Sequence, residues 1–148
     1  FVAAHPAVIE TLVQTARSYI FTTAAPPLIA EALRASLRIL RDDGARRAHL
    51  FDLIARFRAR MRGGPWALAD SATPIQPLVV GANAATLELA AALWNRGFWV
   101  PAIRPPTVPK GTARLRITLT AAHTREDVDA LAEALADLAP GFASTRPR

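Results

Sequence analysis

Arginines at alternate positions of one apolar segment are the side chains of this sequence best suited to bind an anion. The alternation runs through Arg114, Leu115, Arg116, Ile117, Thr118, Leu119 and Thr120. It predicts a β-strand with apolar side chains on one face and both guanidinium groups on the other. A guanidinium on a rigid strand can offer two parallel N–H donors to a carboxylate. The pattern equally suits arginines that face solvent or pair with helix carboxylates, so it leaves both interpretations open.

Adjacent hydroxyl groups in a predicted turn form a second candidate site. Thr22 and Thr23 follow an aromatic and β-branched segment, and they precede the proline pair Pro26-Pro27, which stops any regular element. Hydroxyl groups in a tight turn can donate hydrogen bonds to a phosphate. Threonines are also common in turns that bind nothing. The two hydroxyls therefore indicate a phosphate contact only in combination with further information.

The histidines do not form a pattern that binds metal. His5, His49 and His123 each lack a second histidine or a carboxylate at ligand spacing on a shared helix face. The sequence also contains no glycine-rich phosphate loop and no nucleophile-elbow motif. We therefore expect no metal site and no catalytic apparatus that is complete within this sequence.

Composition narrows the class of protein. With 148 residues, 51% of them hydrophobic, the chain can bury the core of one domain, or of one small domain plus part of another. Charged residues, Pro or Gly interrupt every apolar run before it reaches the length of a membrane span. The absence of cysteine is typical of proteins in a reducing compartment. We expect a cytoplasmic protein without a signal peptide or membrane partner, and a start at Phe1 suggests a piece of a longer chain.

The formal charge of +6 raises the question of a nucleic-acid partner. The arginines, however, are spread along predicted helices, where aspartates lie among them. The sequence has neither a helix-turn-helix pattern nor zinc-finger spacing, and no aromatic residues interleave with the basic ones. We therefore predict solvated helix faces and no nucleic-acid partner. A basic nucleic-acid binder remains the alternative, for which a salt-dependent gel shift is the minimum requirement.

Apolar spacing predicts long helices in the first part of the chain. Residues 6–17 and 28–40 show helical periodicity, which Asp42-Asp43-Gly44 interrupts. The periodicity resumes and continues to Met61, and Gly63-Gly64-Pro65 then stops it. We place a domain boundary there, with residues 1–64 on one side and residues 65–148 on the other.

The second part alternates between strands and helices. We predict strands at 75–80, from 98 and at 114–120, with Pro77 indicating a sheet edge or a bulge. Thr124 and Asp127 form a capping-box pattern before a helix with an apolar stripe at Val128, Leu131, Leu135 and Leu138. Another helix begins with Asn83 as its cap and ends before Gly97, with an apolar face made of Leu87, Ala90, Ala91 and Trp94. The pattern predicts an α+β fold with helices on one face of a small, mostly antiparallel sheet.

Four segments resemble the α-oxoamine synthase family. They are 71–81 (SATPIQPLVVG), 97–109 (GFWVPAIRPPTVP), 111–118 with 121–124 (GTARLRIT and AAHT), and 20–23 with Pro26-Pro27 (IFTT and PP). The similarity covers the chain from Phe1 to about Leu138. It implies the C-terminal small domain of a fold-type I pyridoxal-phosphate transferase at 65–148. Residues 1–64 would be the end of the large cofactor domain and the long interdomain helices.

The resemblance also implies an activity, a cofactor and partners. The family condenses an amino acid with an acyl thioester, with loss of carbon dioxide, using pyridoxal 5'-phosphate. Arg104-Pro105-Pro106-Thr107 resembles the branch that joins L-alanine to pimeloyl-CoA or pimeloyl-acyl carrier protein in biotin biosynthesis, as a homodimer. Two alternatives remain open: an α-oxoamine synthase that uses glycine or serine, and a non-catalytic interaction module derived from the small domain.

The family's site residues are carried over position by position. Arg116 matches the arginine that binds the amino-acid carboxylate, and Arg104 matches an arginine near the acyl-substrate channel. Thr23, with Thr22, matches the turn that contacts the phosphate of the partner subunit's cofactor. The family's cofactor-binding lysine is expected upstream of Phe1. Lys110, the one lysine of this chain, belongs to a different loop, so we expect no catalytic residue in this chain and no turnover by it alone.

Overall fold

The computed structural model describes residues 1–145, which form two compact units. The first unit, Phe1–Asp42, contains helices α1 (Pro6–Thr15) and α2 (Pro27–Asp42). The second unit, Asp43–Arg148, contains α3 (Gly44–Met61), β1 (Ala67–Leu68), β2 (Ile75–Gly81), α4 (Asn83–Trp94), β3 (Ala102–Ile103), β4 (Ala113–Thr118), α5 (Arg125–Leu138) and a final 3₁₀ segment (Ala139–Thr145). Within residues 1–145, no helix combines the length and apolar character needed to cross a membrane.

The helices of the first unit follow the sequence pattern closely. Pro6 lies in the first turn of α1, where the absent N–H of proline costs nothing. α2 ends at Asp42, the first residue of the predicted interruption. Neither helix buries a side chain, although α2 carries a distinctly apolar face. Its exposed apolar residues are Leu28, Ile29, Leu33, Leu37, Ile39 and Leu40.

An antiparallel sheet organises the second unit. Its strand order is β1-β2-β4-β3, and every neighbouring pair is antiparallel. Pro77 of β2 lies opposite Arg116 of β4. Arg116 N–H points away from β2 and donates to Pro101 O at 2.9 Å, so this pair of residues exchanges no hydrogen bond, and the missing N–H of Pro77 leaves the β2–β4 ladder intact. A register irregularity lies between Val79 and Gly81, after which Gly81 still pairs with Ala113. Gly81 has φ +99°, a conformation that favours glycine.

Three helices pack on one face of this sheet and form the core with it. β2 and β4 direct their alternate apolar residues inward, and α3, α4 and α5 cover that face. The side chains that are fully buried include Phe57, Leu53, Leu78, Leu89, Leu93, Leu115 and Leu135. The predicted α+β class, with helices on a mostly antiparallel sheet, is confirmed.

The break between the compact units lies after Asp42, whereas we placed the boundary after residue 64. α3 accounts for the difference, because Leu53 and Phe57 are completely buried in the core of the second unit. Ion pairs from Arg56 and Arg60 of α3 to Asp129 of α5 reinforce this packing. The assignment of the first residues to a large cofactor domain stays a prediction.

Helix α4 corrects two details of the sequence interpretation. Its N-cap is Ala82, with no side-chain capping bond, and Asn83 is already helical. Its buried residues are Ala85, Thr86, Leu89 and Leu93, whereas Leu87 and Trp94 of the predicted face are 44% and 63% exposed. Nearly every residue of α4 is apolar or small, so helical periodicity alone does not distinguish one face from the next.

The predicted strand starting at Phe98 is wrong, because regular pairing begins only at Ala102. Phe98 N–H donates to Leu93 O at 2.9 Å, which draws this segment to the end of α4 and away from the sheet. The final helix matches its prediction. Thr124 and Asp127 form a reciprocal capping box at the start of α5.

Candidate functional site

Arg116 is held on an inner strand with its side chain on the outward face of the sheet. It alternates with Leu115 and Ile117, which are 0% and 2% exposed and face the helices. β2 and the segment ending at Pro101 flank it on either side. No ion pair or hydrogen bond engages its guanidinium within residues 1–145, so the group is available to an anion from outside.

Arg114 differs from Arg116, although the two share one face of β4. Its Nε donates to Thr112 O at 2.9 Å, and its side chain is half-buried. This bond folds the guanidinium back onto the chain that enters β4. The structure therefore separates two arginines that the sequence pattern could not distinguish.

A groove of about 630 Å³ lies beside Arg116. Residues 97–101 form one wall, the second half of β4 forms another, and the beginning of α5 closes it. Trp99 and His123 line this groove, and the sequence pattern did not identify either of them as part of a site. Trp99 lay in a predicted strand, and His123 was interpreted as a helix entry, so neither carried a usable signal.

His123 stabilises the loop between β4 and α5. Its Nδ1 accepts from Thr120 N–H at 3.1 Å, and its carbonyl oxygen lies 3.0 Å from His49 Nε2. The next residues hold the capping box, in which Asp127 accepts from Thr124 N–H at 2.8 Å. This bond keeps the pKa of the Asp127 carboxyl below its usual value. The end of the groove is consequently fixed by local hydrogen bonds.

Arg104 lies in the loop after β3, outside the residues that line the groove. Its side chain is exposed, and its carbonyl accepts from Thr107 N–H at 3.0 Å across the cis Pro105–Pro106 bond. Lys110 follows Pro109 in an exposed turn of the same loop. The structure thus does not bring Arg104 and Arg116 into one groove.

Thr22 and Thr23 lie in the first unit, in the exposed stretch between α1 and α2. Thr22 Oγ1 donates to Tyr19 O at 2.6 Å, which ties it to the preceding turn. Within residues 1–145 the Thr23 hydroxyl has no hydrogen-bond partner. A hydroxyl without a partner, such as that of Thr23, can donate a hydrogen bond to a phosphate oxygen. In the same range, no group of three or more His, Cys, Asp or Glu side chains is arranged to hold a metal ion.

Comparison with known sequences identifies the family. The family model for aminotransferase class I and II matches residues 1–135. A relative from Leptothrix cholodnii is 60% identical over 94% of this chain and 36% of its own length, and one from Paraburkholderia xenovorans is 59% identical over 93% and 36%. Both are named 8-amino-7-oxononanoate synthase. The chain spans about a third of the length of the curated relatives it matches.

Solved structures agree with this result. Serine palmitoyltransferase from Sphingomonas wittichii is 28% identical with a TM-score of 0.85, over 98% of this chain and 37% of that one. 8-Amino-7-oxononanoate synthase from Francisella tularensis is 26% identical with a TM-score of 0.79, over 94% and 41%. The predicted fold type and the resemblance to α-oxoamine synthases are confirmed. The chain belongs to the aminotransferase class I and II family.

Proposed function

We propose that this chain is part of an 8-amino-7-oxononanoate synthase. The complete protein would join L-alanine to a pimeloyl thioester, carried by coenzyme A or by acyl carrier protein, with loss of carbon dioxide. Support comes from curated relatives with this name that are 54–60% identical to the chain. A homodimer in the cytoplasm, serving biotin biosynthesis, is part of the same proposal.

The observation that carries the proposal is the free guanidinium of Arg116. A strand paired on both sides limits its motion, and the outward face of the sheet leaves its N–H groups unoccupied. A planar guanidinium binds a carboxylate through two parallel hydrogen bonds. Arg116 would thereby orient the amino acid through its carboxylate, whereas Arg114 is engaged with Thr112 O.

The cofactor of this family is pyridoxal 5'-phosphate. When bound, it supplies an electron sink for the negative charge that develops at the α-carbon of the amino acid. The residues of this chain that fit it are Thr23 and Thr22, in the turn that would contact its phosphate in the partner subunit. The hydroxyl of Thr23 would donate to the phosphate directly, whereas that of Thr22 would first have to leave Tyr19 O. The base and the covalent lysine would belong to the rest of the longer protein.

Arg104 would meet the acyl substrate at a distance from Arg116. Its exposed guanidinium suits the distal carboxylate of the pimeloyl chain or a phosphate of the carrier. Because the two arginines lie outside a common groove, they would recognise different substrates. Replacement of Arg104 by Ala should therefore raise the Michaelis constant for the acyl donor and leave that for L-alanine unchanged.

A second candidate is an α-oxoamine synthase that uses another amino acid. The structural similarity to serine palmitoyltransferase, with a TM-score of 0.85 at 28% identity, keeps this candidate open. Turnover of L-alanine, glycine and L-serine by the complete, longer protein, measured side by side with pimeloyl-CoA, distinguishes the candidates. Preference for glycine or serine would replace the first proposal, and the absence of turnover with any of them would favour a non-catalytic module.

The direct test uses a chimera in which this chain replaces the matching part of the Leptothrix cholodnii relative. We expect Arg116→Ala to raise the Michaelis constant for L-alanine roughly 10- to 100-fold, because hydrogen bonds to a charged group contribute about 1.5–3 kcal/mol. Arg114→Ala is the matched control on the same strand face and should change the constant by less than about 3-fold. Equal effects of the two substitutions would contradict the role of Arg116.

A further inference from the structure

The second half of β4 has an open backbone edge. Pairing with β3 covers Arg114 and Leu115, and one further bond joins Arg116 N–H to Pro101 O at 2.9 Å. Antiparallel pairing would continue with an N–H donated back to the Arg116 carbonyl. Pro101 has no N–H, so the ladder on this side of β4 ends there.

The chain that precedes Pro101 leaves the sheet and does not cover this edge. Phe98 N–H donates to Leu93 O at 2.9 Å, which fixes the segment against the end of α4. Continued register would place Trp99 opposite Thr118, yet no backbone hydrogen bond joins these two residues, and residues 98–101 are not part of a strand. A gap therefore opens between this segment and β4.

Thr118 directs its backbone N–H and C=O into the gap. The neighbouring Leu119 N–H donates to Pro74 O at 2.9 Å on the β2 side, and successive N–H groups of a strand point in opposite directions. Neither backbone group of Thr118 is hydrogen-bonded within residues 1–145. With the Arg116 carbonyl, the edge offers one donor and two acceptors. Arg116 and Thr118 are both exposed, so these groups are open to a partner from outside.

The gap is the groove of about 630 Å³ described above. Its inner wall is apolar, formed by Val100, Val128 and Leu131, which are 7%, 1% and 7% exposed. Its far end is closed, because Thr120 N–H is already bound by His123 Nδ1. An unsatisfied backbone edge above an apolar wall is the arrangement that accepts an added strand.

We propose that this groove binds one extended segment of polypeptide, which pairs with β4 at Thr118 as an added strand. The segment would bond the N–H and C=O of Thr118 and donate to the Arg116 carbonyl. Because strand side chains alternate, those on one face would be apolar and would contact Val128 and Leu131. The added strand completes the ladder that Pro101 interrupts.

The inference rests on the proposed function here, since the segment would come from the remainder of the complete synthase. The Leptothrix cholodnii relative is matched over 36% of its length, so most of that polypeptide lies outside the match. The strands that a second copy of this chain offers within residues 1–145 are short: β1 and β3 have two residues each, β2 is paired on both sides, and β4 is open only in its second half. Covalent connection also gives a segment of the same polypeptide a high effective concentration.

Amide hydrogen exchange at Thr118 tests the proposal. The 148-residue chain is compared with the chimera in which it replaces the matching part of the Leptothrix cholodnii relative, both without cofactor or substrate. We expect the Thr118 amide to exchange at least about 100-fold more slowly in the chimera, because an added strand protects it. Ile117 is the matched control, since its N–H points to β2 and should be protected in both proteins.

Equal exchange at Thr118 in the two proteins, with Ile117 protected in both, would overturn the proposal. Slow exchange in the 148-residue chain that depends on its concentration would also overturn it, in favour of a second copy. Loss of protection at Ile117 in the chimera would mean that the chimera is not folded. In that case, exchange of the amide that matches Thr118 in the unaltered relative would be measured instead, and fast exchange there would overturn the proposal. The readout involves neither turnover nor substrate, so its failure would leave the proposed function untouched.

Discussion

Gln76 is fully buried and cross-links the loop that enters β2. Its Oε1 accepts from Arg58 Nη1 at 2.8 Å, and its Nε2 donates to Thr73 O at 2.6 Å and to Ser71 O at 3.2 Å. Arg58 lies on α3, so these bonds connect a helix of the core to the first residues of an inner strand. The position therefore tests whether buried polar bonds stabilise the second unit.

We expect Gln76→Leu, which roughly conserves side-chain volume, to lower the free energy of unfolding by about 2–4 kcal/mol. It removes a partner from Thr73 O and from one Arg58 N–H, and a buried polar group without a partner costs roughly 1–3 kcal/mol. The Ser71 carbonyl keeps a weaker bond from Arg58 at 3.4 Å. The Arg58 side chain is 33% exposed, so water can replace part of the hydrogen bond that Arg58 loses. The expected total is therefore below the sum of two full penalties.

Urea unfolding followed by tryptophan fluorescence measures this effect, because Trp66, Trp94 and Trp99 all lie in the second unit. With a slope of about 2 kcal/mol per molar urea, in the middle of the usual range, the midpoint should fall by about 1–2 M. Thr86→Val is the matched control, because Thr86 is also fully buried. Its hydroxyl donates to Ala82 O, and that oxygen also accepts from the backbone N–H of Thr86 at 3.0 Å. The substitution therefore leaves Ala82 O with a hydrogen-bond partner. A loss below about 0.5 kcal/mol for Gln76→Leu, or equal losses for both variants, would refute the reasoning.

Further predictions concern the cofactor lysine and the acidic residues of α5. Borohydride reduction of the 148-residue chain with pyridoxal phosphate should leave no adduct in peptide mass spectra, and an adduct on Lys110 would contradict this. Thr124→Ala should cost about 1 kcal/mol in the same urea assay, because it removes the N-cap acceptor of Asp127 N–H. Arg56 and Arg60 hold the pKa of the Asp129 carboxyl well below its usual value. Its stabilising effect is therefore complete above pH about 4 and is lost as the pH falls toward the folded-state pKa. Asp129→Asn should accordingly flatten the fall of the melting temperature between pH 4 and 2, and an unchanged acid limb would contradict the pairing.

Local patterns predicted the elements whose shape depends on neighbouring residues. The alternation around Leu115 and Ile117 became β4, and the capping pattern at Thr124 and Asp127 became the start of α5. Of the predicted stripe, Val128, Leu131 and Leu135 are buried, and Leu138 is partly buried. These features need only strand or helix geometry and hydrogen bonds between close residues, so they can be inferred without a tertiary structure.

Where the local sequence pattern allowed more than one structure, packing against other elements determined which one formed. The apolar residues of α4 allowed several faces, and contact with the sheet selected the one containing Leu89 and Leu93. The β propensity of Phe98 and Trp99 was overridden by the bond from Phe98 N–H to Leu93 O. In both cases the decisive partner is another element of the fold, and no local pattern contains it.

By itself, the sequence determined the α+β class, the strand that carries the arginines, and the resemblance to the family. Only the tertiary structure decided that Arg116 is free while Arg114 is engaged, because the difference depends on the position of Thr112 O. The tertiary structure likewise decided that α3 packs with the sheet and that a groove opens beside Thr118. Such features depend on the positions in space of segments that are far apart in the sequence. Residue spacing along the chain does not specify these positions.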